Sequence, residues 1–409
     1  MAADFKAPRG TFDVLPDAAA GYARFEQTAR SLLERAGYGR IETPAFEETQ
    51  LFERGVGGST DIVRKEMFTF EDKGGRSLTL RPEGTAPICR AYVEHGMHKL
   101  AQPVKLWHLG PYFRHERPQA GRYREFNQLG TEAIGTDSPL ADAELIVLLT
   151  DLLGELGVPG VSLRLGSLGS LETRRDYLEE LRAYLREHEG DLSKDVADRI
   201  DANPLRAFDA DDEGTREVMR AAPQLLDRLE AADAEHFTAV RELLDAAGAE
   251  YEVDGTLVRG LDYYTRTIFE VHCDRLGAQS QVGGGGRYDG LVAQLGGPPT
   301  AAVGFAVGVE RVLLALDAEP PEPSTDVFVA LADGAEPRRA MALLGELRNS
   351  GRSAEADLGG RGLKGQLKHA DRIGARHAVI LEADGAAQLR DMESGEQREV
   401  EAGRILEEL

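Results

Sequence analysis

Apolar positions recur at helical spacing through residues 21–36 (GYARFEQTARSLLERA), and the pattern stops at Gly37, which predicts a helix ended by a glycine. The stretch GRIETPAF that follows (39–46) is β-prone, with Pro44 at a strand edge or end. Residues 66–72 and 76–82 read as a hairpin about Lys73-Gly74-Gly75. Residues 103–113 and 124–134 predict two more strands, bracketing the polar loop HERPQAGRY. This is an antiparallel plan. Neither strand–GxGxxG–helix nor GxxxxGK[ST] occurs, so neither a dinucleotide fold nor a P-loop is supported.

Further along, residues 139–157 predict an amphipathic helix. From 171 to 250 the chain is rich in Ala, Leu, Glu and Arg with few β-branched residues, which predicts a helical subdomain inserted between β-type regions. Strands are expected again at 251–273 and 278–283, and 301–316 begins β-like and ends helical. The proline-rich PPEPSTD (320–326) suits a linker. Beyond it, strand (VFVAL) and helix alternate as far as HAVIL, the pattern of a small α/β domain with a mostly parallel sheet. An α+β protein of several domains is expected, as the length of 409 residues also implies.

Composition narrows the class. At 42% hydrophobic and 29% charged residues the chain is globular in type. No apolar run reaches the roughly 18 residues that a membrane span needs, and MAADFKAPRG lacks the basic-then-apolar plan of a signal peptide. A cytoplasmic protein is expected. Cys89 and Cys273 have no metal-ligand spacing and read as small buried hydrophobes. The net charge of −23 argues by itself against a phosphate-rich partner. Locally the balance reverses. Between Val104 and Gly130, Lys105 and four arginines stand against Glu116 and Glu125; from Arg361 to Arg376, five basic residues stand against Asp371. Any nucleic acid should meet those two segments.

Three arginine-bearing segments carry the candidate chemistry. FRHERPQAGRYREFNQLG (113–130) holds Arg114, Arg117, Arg122 and Arg124. A solvated hairpin would also contain arginines. However, Phe126, Gln128 and Glu132 alternate along the returning strand and share one face, more like a pocket floor than a surface. In RGLDYYTRTIFEV (259–271) a strand is expected from Tyr264 onward, with Arg259 at its entrance; a core-packed tyrosine pair is the plainer alternative. In VGFAVGVERVLLAL (303–316) two glycines precede Glu-Arg and an apolar helix, either a simple tight turn or a helix start that points Arg311 at a nucleotide. GGGG (283–286) is expected as a turn, closing on a pocket or serving as a plain hairpin loop.

Taken in order, GYGRIETPAF, FRHERP with its following strand, and GVER at a helix start resemble the three signature motifs of class II aminoacyl-tRNA synthetases. Within that class the chain resembles the histidyl-tRNA synthetase family, through LRPEGT (80–85), FRHERPQ-x-GRYREF-x-QLG, RGLDYYT (259–265) and GGGRYDGL (284–291). The likeness runs from about Pro8 into the C-terminal domain. It implies an α+β fold: a class II antiparallel-sheet catalytic domain in two parts (1–170 and 251–319), a helical insertion (171–250), a linker (320–325) and an α/β anticodon-binding-type domain (326–409).

The implied activity is histidine–tRNA ligation: L-histidine and ATP give histidyl-adenylate and pyrophosphate, and histidine then passes to the 3′ end of tRNA(His). The attacking carboxylate is already ionised, so the step needs stabilised negative charge rather than a general base, and planar guanidinium forks supply that. The resemblance makes Arg259, Arg114 and Arg311 the catalytic candidates. Arg114 and Arg259 fall on the α-phosphate from two sides; Arg311 falls against adenine and the γ-phosphate, with Phe126 on the ring's other face. Mg2+ would bridge the phosphates, its protein ligands unassigned. Glu83, Thr85 and Gln128 would hold the α-amino group, and Glu132 and Tyr264 the imidazole, with Tyr263 nearby.

For tRNA, the resemblance suggests Gln119 and Arg122 at the acceptor end and Lys364, Lys368 and Arg372 at the anticodon. These last three share a helix face, which a solvated basic face would also explain. Pairing through the first motif (about 37–47) implies a homodimer. One related class, the non-catalytic histidine-sensing regulatory subunit of ATP phosphoribosyltransferase, shares the catalytic fold. It typically lacks the C-terminal domain and loses activation residues, whereas this chain keeps 326–409 and Arg114, Arg259 and Arg311. A plain RNA-binding or structural module leaves the polar set unexplained.

Overall fold

The computed structural model describes residues 5–58, 60–316 and 325–409. The chain divides into two compact units, Met1–Ala318 and Glu319–Leu409. The expected linker at 320–325 lies outside the described residues except for Thr325.

The first unit is built on an eight-stranded sheet in the order β1-β5-β6-β11-β10-β9-β7-β8. Its strands are β1 (Gly39–Arg40), β5 (Val104–Phe113), β6 (Glu125–Ile134), β7 (Val161–Ser167), β8 (Glu252–Val253), β9 (Thr265–Cys273), β10 (Gln281–Arg287) and β11 (Ala302–Gly308). Only the two edge pairs, β1 with β5 and β7 with β8, run parallel. A small sheet holds β2 (Phe46–Glu48), β3 (Thr69–Glu71) and β4 (Ser77–Leu80) in the order β2-β4-β3. The stretch 39–46 is therefore not one strand. Pro44 lacks an N–H and keeps Thr43 out of regular pairing, and the chain changes sheets across it.

The glycines 283–286 are the largest departure from expectation. They form the middle of β10, bonded on both sides, to β9 and β11, and not a turn. The reason is close approach. A Cβ on Gly285 would sit 2.0 Å from the Gly304 carbonyl oxygen of β11, and one on Gly284 2.6 Å from that of Phe269 in β9. No other residue fits between these neighbours.

Helices cover both faces of the sheet. They are α1 (Pro16–Arg35), α2 (Thr49–Gly55), α3 (Thr85–Glu94), α4 (Pro139–Leu156), α5 (Leu171–Glu187), α6 (Lys194–Ala197), α7 (Glu213–Arg220), α8 (Ala231–Ala246), α9 (Leu291–Gln294) and α10 (Val309–Leu316). α4 shows why the sequence folds as it does. Ser138 caps the Leu140 N–H, Pro139 preorganises the first turn, and Gly157 takes the left-handed conformation (φ 84°) that ends the helix. Its Leu145, Leu149, Leu152 and Leu153 are fully buried, each worth roughly 1.5–3 kcal/mol of transfer free energy.

Successive residues of β9, Ile268 and Phe269, enter different cores, so the two cores lie on opposite faces of the sheet. α1, α4 and α8 pack in the first; α3 and α5 pack in the second. The helices read as an insertion thus straddle the sheet: α5 contributes Tyr177, Leu181 and Leu185 to one core, and α8 contributes Phe237, Val240 and Leu244 to the other.

The second unit is a five-stranded sheet of order β13-β12-β14-β15-β16. Its strands are β12 (Val327–Leu331), β13 (Ala354–Ala356), β14 (His377–Leu381), β15 (Ala387–Asp391) and β16 (Gln397–Val400), and its helices α11 (Pro337–Asn349), α12 (Leu363–Arg372) and α13 (Ile405–Glu408). The first three strands in the order are parallel and the last two pairings antiparallel, so the sheet is mixed rather than mostly parallel. AQLRD and QREV carry too little hydrophobic alternation to announce themselves as strands.

Candidate active site

A cleft of about 890 Å3 opens in the first unit, walled by β5, β6, β9, β10 and β11 and by the start of α10. Its two ends differ in chemistry.

One end is lined by hydroxyls and carboxyls. Glu83 precedes α3 and its carboxylate accepts the Thr85 N–H (2.7 Å) and the Ala86 N–H (2.9 Å), capping the helix. Burial pushes its carboxyl up, against the pull of those two N–H groups and of Arg114. The Thr85 hydroxyl donates to Glu132 Oε1 (2.8 Å), and the Tyr288 hydroxyl donates to Glu132 Oε2. Glu132 is 2% exposed and sits behind Thr85 and Tyr288 rather than on the cleft surface. Burial raises its carboxyl to about 8, although both hydroxyls act to lower it. The Tyr263 ring lies 4.7 Å from that of Tyr264 and 5.8 Å from that of Tyr288.

Phe126, Gln128 and Glu132 do share one face of β6, with Gly130 between them. That gap is filled from β5 by the ring of His108. A Cβ on Gly130 would stand 2.1 Å from its Nε2. Burial pushes the imidazole down to about 3, so it is neutral at pH 7, and Nδ1 is hydrogen-bonded to the Tyr112 hydroxyl (2.7 Å).

The other end is lined by arginines. Arg114, just past β5, donates from Nε to the Pro82 carbonyl (2.8 Å), with its guanidinium 5.4 Å from the Phe126 ring centroid. Arg259 is ion-paired with Glu270 of β9 and lies 5.3 Å from the Tyr264 ring; its Nε is buried without a hydrogen-bond partner among the described residues. Glu270 also meets His272 Nε2 (3.1 Å), whose Nδ1 is hydrogen-bonded to Ser280 Oγ (2.9 Å). Arg311, in the first turn of α10, donates from Nε to the Gly121 carbonyl (3.0 Å) and reaches the Gln281 carbonyl. Beside it, buried Glu310 accepts the Asn127 N–H (2.9 Å) and the Tyr22 hydroxyl (3.3 Å), fixing α10 to β6 and α1.

Of the residues expected from sequence, Glu83, Thr85, Arg114, Arg122, Phe126, Gln128, Arg259, Tyr263, Tyr264 and Arg311 all line this cleft. Gln119 does not: it is exposed, with its backbone paired to that of Arg122 at the tip of the loop. Arg122 itself pairs with Glu116 (3.3 Å). Lys364, Lys368 and Arg372 belong to the second unit, on one exposed face of α12. Among the described residues no group of three or more His, Cys, Asp or Glu side chains could hold a metal ion, and no helix is long and apolar enough to cross a membrane.

A family model for histidyl-tRNA synthetase matches residues 10–312, and one for an anticodon binding domain matches 326–409. The chain is 49% identical over 412 residues to the histidine–tRNA ligase of Rubrobacter xylanophilus, covering 98% of this chain and 97% of that one. With the histidine–tRNA ligase of Halothermothrix orenii it is 47% identical over 414 residues, covering 99% of each. The chain belongs to the histidyl-tRNA synthetase family. The crystal structure of apo histidyl-tRNA synthetase from S. aureus superimposes with a TM-score of 0.82 at 35% identity, over 99% of both chains. The class II antiparallel catalytic sheet and the separate C-terminal α/β unit follow the same plan, and the protein is an aminoacyl-tRNA ligase.

Several cleft residues escaped the sequence reading. Tyr288 lies within GGGRYDGL, and its place between an arginine and an aspartate at a strand end is the available signal. Glu270 and His272 are polar residues two apart in the otherwise apolar TIFEVHC, a period-two signature of one strand face. His108 had no such signal, because only the pairing of β5 with β6 brings it over Gly130.

Proposed function

We propose that the two ends of the cleft divide the first step of histidine–tRNA ligation between them. The tyrosine–carboxyl end binds L-histidine, and the arginine end binds ATP. A carboxylate oxygen of histidine attacks the α-phosphorus; the bond to the bridging oxygen breaks, and its electron pair leaves on pyrophosphate. Arg114 and Arg259 neutralise charge on the α-phosphate, and Arg311 meets adenine and the γ-phosphate with Phe126 as the opposing platform. In the second step the 3′-hydroxyl of tRNA(His) attacks the adenylate carbonyl and AMP leaves.

The observation that carries this reading is the meeting of Arg114, Arg259 and Arg311, from three distant segments, in one cleft with Thr85, Gln128, Tyr263 and Tyr264. Each tyrosine or carboxyl that pairs a ring nitrogen of histidine also rejects a side chain lacking it, because the protein's own group would be left unpaired. Mg2+ would arrive on the ATP phosphates and add positive charge there. It needs only one or two carboxylates besides phosphate and water oxygens, and these would come from the carboxylates that line the cleft, Glu66, Glu116 and Glu270 among them. Gln119 and Arg122 are assigned to the acceptor end of tRNA(His), and the α12 face of Lys364, Lys368 and Arg372 to the anticodon. A homodimer paired through residues 37–47 and a cytoplasmic location complete the reading; two buried, free cysteines suit that reducing compartment.

Purified protein is expected to catalyse histidine-dependent ATP–pyrophosphate exchange. A folded protein that binds histidine but exchanges nothing would turn the reading toward the histidine-sensing regulatory class.

A further inference from the structure

The tyrosine wall of the cleft is held from behind by a backbone irregularity. Register between β9 and β10 shifts between Gly286–Ile268 and Arg287–Thr265, so Arg266 and Thr267 form a bulge one residue after Tyr263-Tyr264. Arg266 has φ 45°, the one positive φ of a non-glycine residue among those described. An L-residue holds that conformation only when its surroundings impose it. Here the Arg266 N–H donates to the Gly169 carbonyl and its own carbonyl accepts the Leu168 N–H, each at 2.7 Å. Its side chain reaches away from the cleft and donates from Nε to Oδ1 of Asp233 (3.0 Å).

Asp233 is buried, in the first turn of α8. Its Oδ2 accepts the Ser170 N–H (2.7 Å) and the Thr173 hydroxyl (2.8 Å) at the start of α5. From the same turn of α5, Arg174 donates to the Tyr264 carbonyl (2.8 Å). One carboxylate thus joins α8, α5 and the bulge that follows both tyrosines. Neither Asp233 nor Arg266 lines the cleft.

We propose that Asp233 is a positioning residue for the amino-acid end of the cleft: its ion pair with Arg266 holds the strained bulge that aims Tyr263 and Tyr264 at the substrate. The inference rests on the reading of that end as the histidine pocket. A bulge is the device by which a strand re-aims a side chain beside a site. The ion pair adds a side-chain anchor to the two backbone hydrogen bonds that hold the positive φ.

The substitutions separate the ion pair from the backbone. Asp233→Asn keeps an oxygen for Ser170 and Thr173 but turns an amide donor toward Arg266. Arg266→Ala removes the ion pair and leaves the strain; Arg266→Gly removes both, because glycine adopts a positive φ freely. In ATP–pyrophosphate exchange by the full chain, Asp233→Asn and Arg266→Ala are expected to raise the histidine KM about tenfold, with the ATP KM within about twofold of the unaltered chain. Arg266→Gly is expected to return the histidine KM to within about threefold. Calorimetric Kd values for histidine should follow the same order, a readout that does not depend on turnover. The proposal is overturned if Asp233→Asn and Arg266→Ala, with unchanged melting temperatures, bind histidine as the unaltered chain does. It is equally overturned if Arg266→Gly is as impaired as Arg266→Ala. Failure of the unaltered chain to exchange would strike at the activity, whereas the order of the histidine Kd values strikes at the Asp233–Arg266 pair alone.

Discussion

The two ends of the cleft solve opposite problems. At the tyrosine end, Glu132, Thr85 and Tyr288 satisfy one another within the protein, out of water, before any ligand arrives. At the arginine end, Arg114 and Arg311 lean on backbone carbonyls and remain half-buried, with Arg259 tied to Glu270. A buried, satisfied network is stiff and costly to disturb, which suits discrimination among amino acids. On the proposed reading, guanidinium groups held largely by backbone carbonyls meet a polyphosphate whose own charge grows during reaction. On that reading, the difference teaches that selectivity rests on a satisfied buried network and rate on guanidinium charge.

That contrast can be tested from its strongest point downward. Arg259→Ala should lower kcat for exchange about 100- to 1,000-fold while histidine Kd changes little; equal losses in both would erase the distinction between the ends. Glu132→Ala strands the hydroxyls of Thr85 and Tyr288. It should raise the histidine KM by roughly 10- to 100-fold with kcat much less affected, as follows from leaving buried donors unpaired. A titration of KM against Tyr288→Phe would show how much of this passes through one partner.

The pH dependence is a finer probe. With its carboxyl raised to about 8, Glu132 holds its proton at pH 7. Glu132 lies behind Thr85 and Tyr288, so its ionisation would reach a ligand only through those two hydroxyls, and a histidine side chain itself titrates near ~6.5. Histidine KM should be lowest between ~6.5 and about 8, rising above about 8 as Glu132 ionises and below ~6.5 as the ligand imidazole gains a proton. Glu132→Gln should abolish the alkaline limb. Stability has its own sign. Between the ordinary carboxyl value of ~4.3 and the folded value of about 8, the unfolded chain binds fewer protons, so this group's contribution falls as pH rises. The melting-temperature difference between Glu132→Gln and the unaltered chain should track that window. The smallest effect is expected in the second unit. Lys368→Ala on the exposed face of α12 should weaken the tRNA-dependent step by a few-fold, more at low salt, and leave exchange untouched.

Much of this architecture was legible as pattern. The β5–β6 hairpin followed from two alternating runs around a polar loop, and α4 from its serine, proline and glycine punctuation. The arginines of the cleft were legible because their segments resemble a family. Less legible were features whose cause lies in another part of the chain. GGGG looks like a turn in isolation; it is a central strand because β9 and β11 press on it from both sides. The capping of α3 by Glu83 depends on where that helix begins. β15 and β16 are too short and polar for periodicity to reveal.

By itself, then, the sequence determined the period of each long element, the order of the motifs and the residue types that could meet phosphate or histidine, since these depend on neighbours a few positions apart. Only the tertiary structure decided that Glu132 lies behind the cleft surface and keeps its proton, that His108 fills the space over Gly130, and that Asp233 reaches across to a strained Arg266. Burial and hydrogen-bond partners set these properties. Both come from residues tens to hundreds of positions away, brought within a few ångströms only when the sheet closes between its two cores.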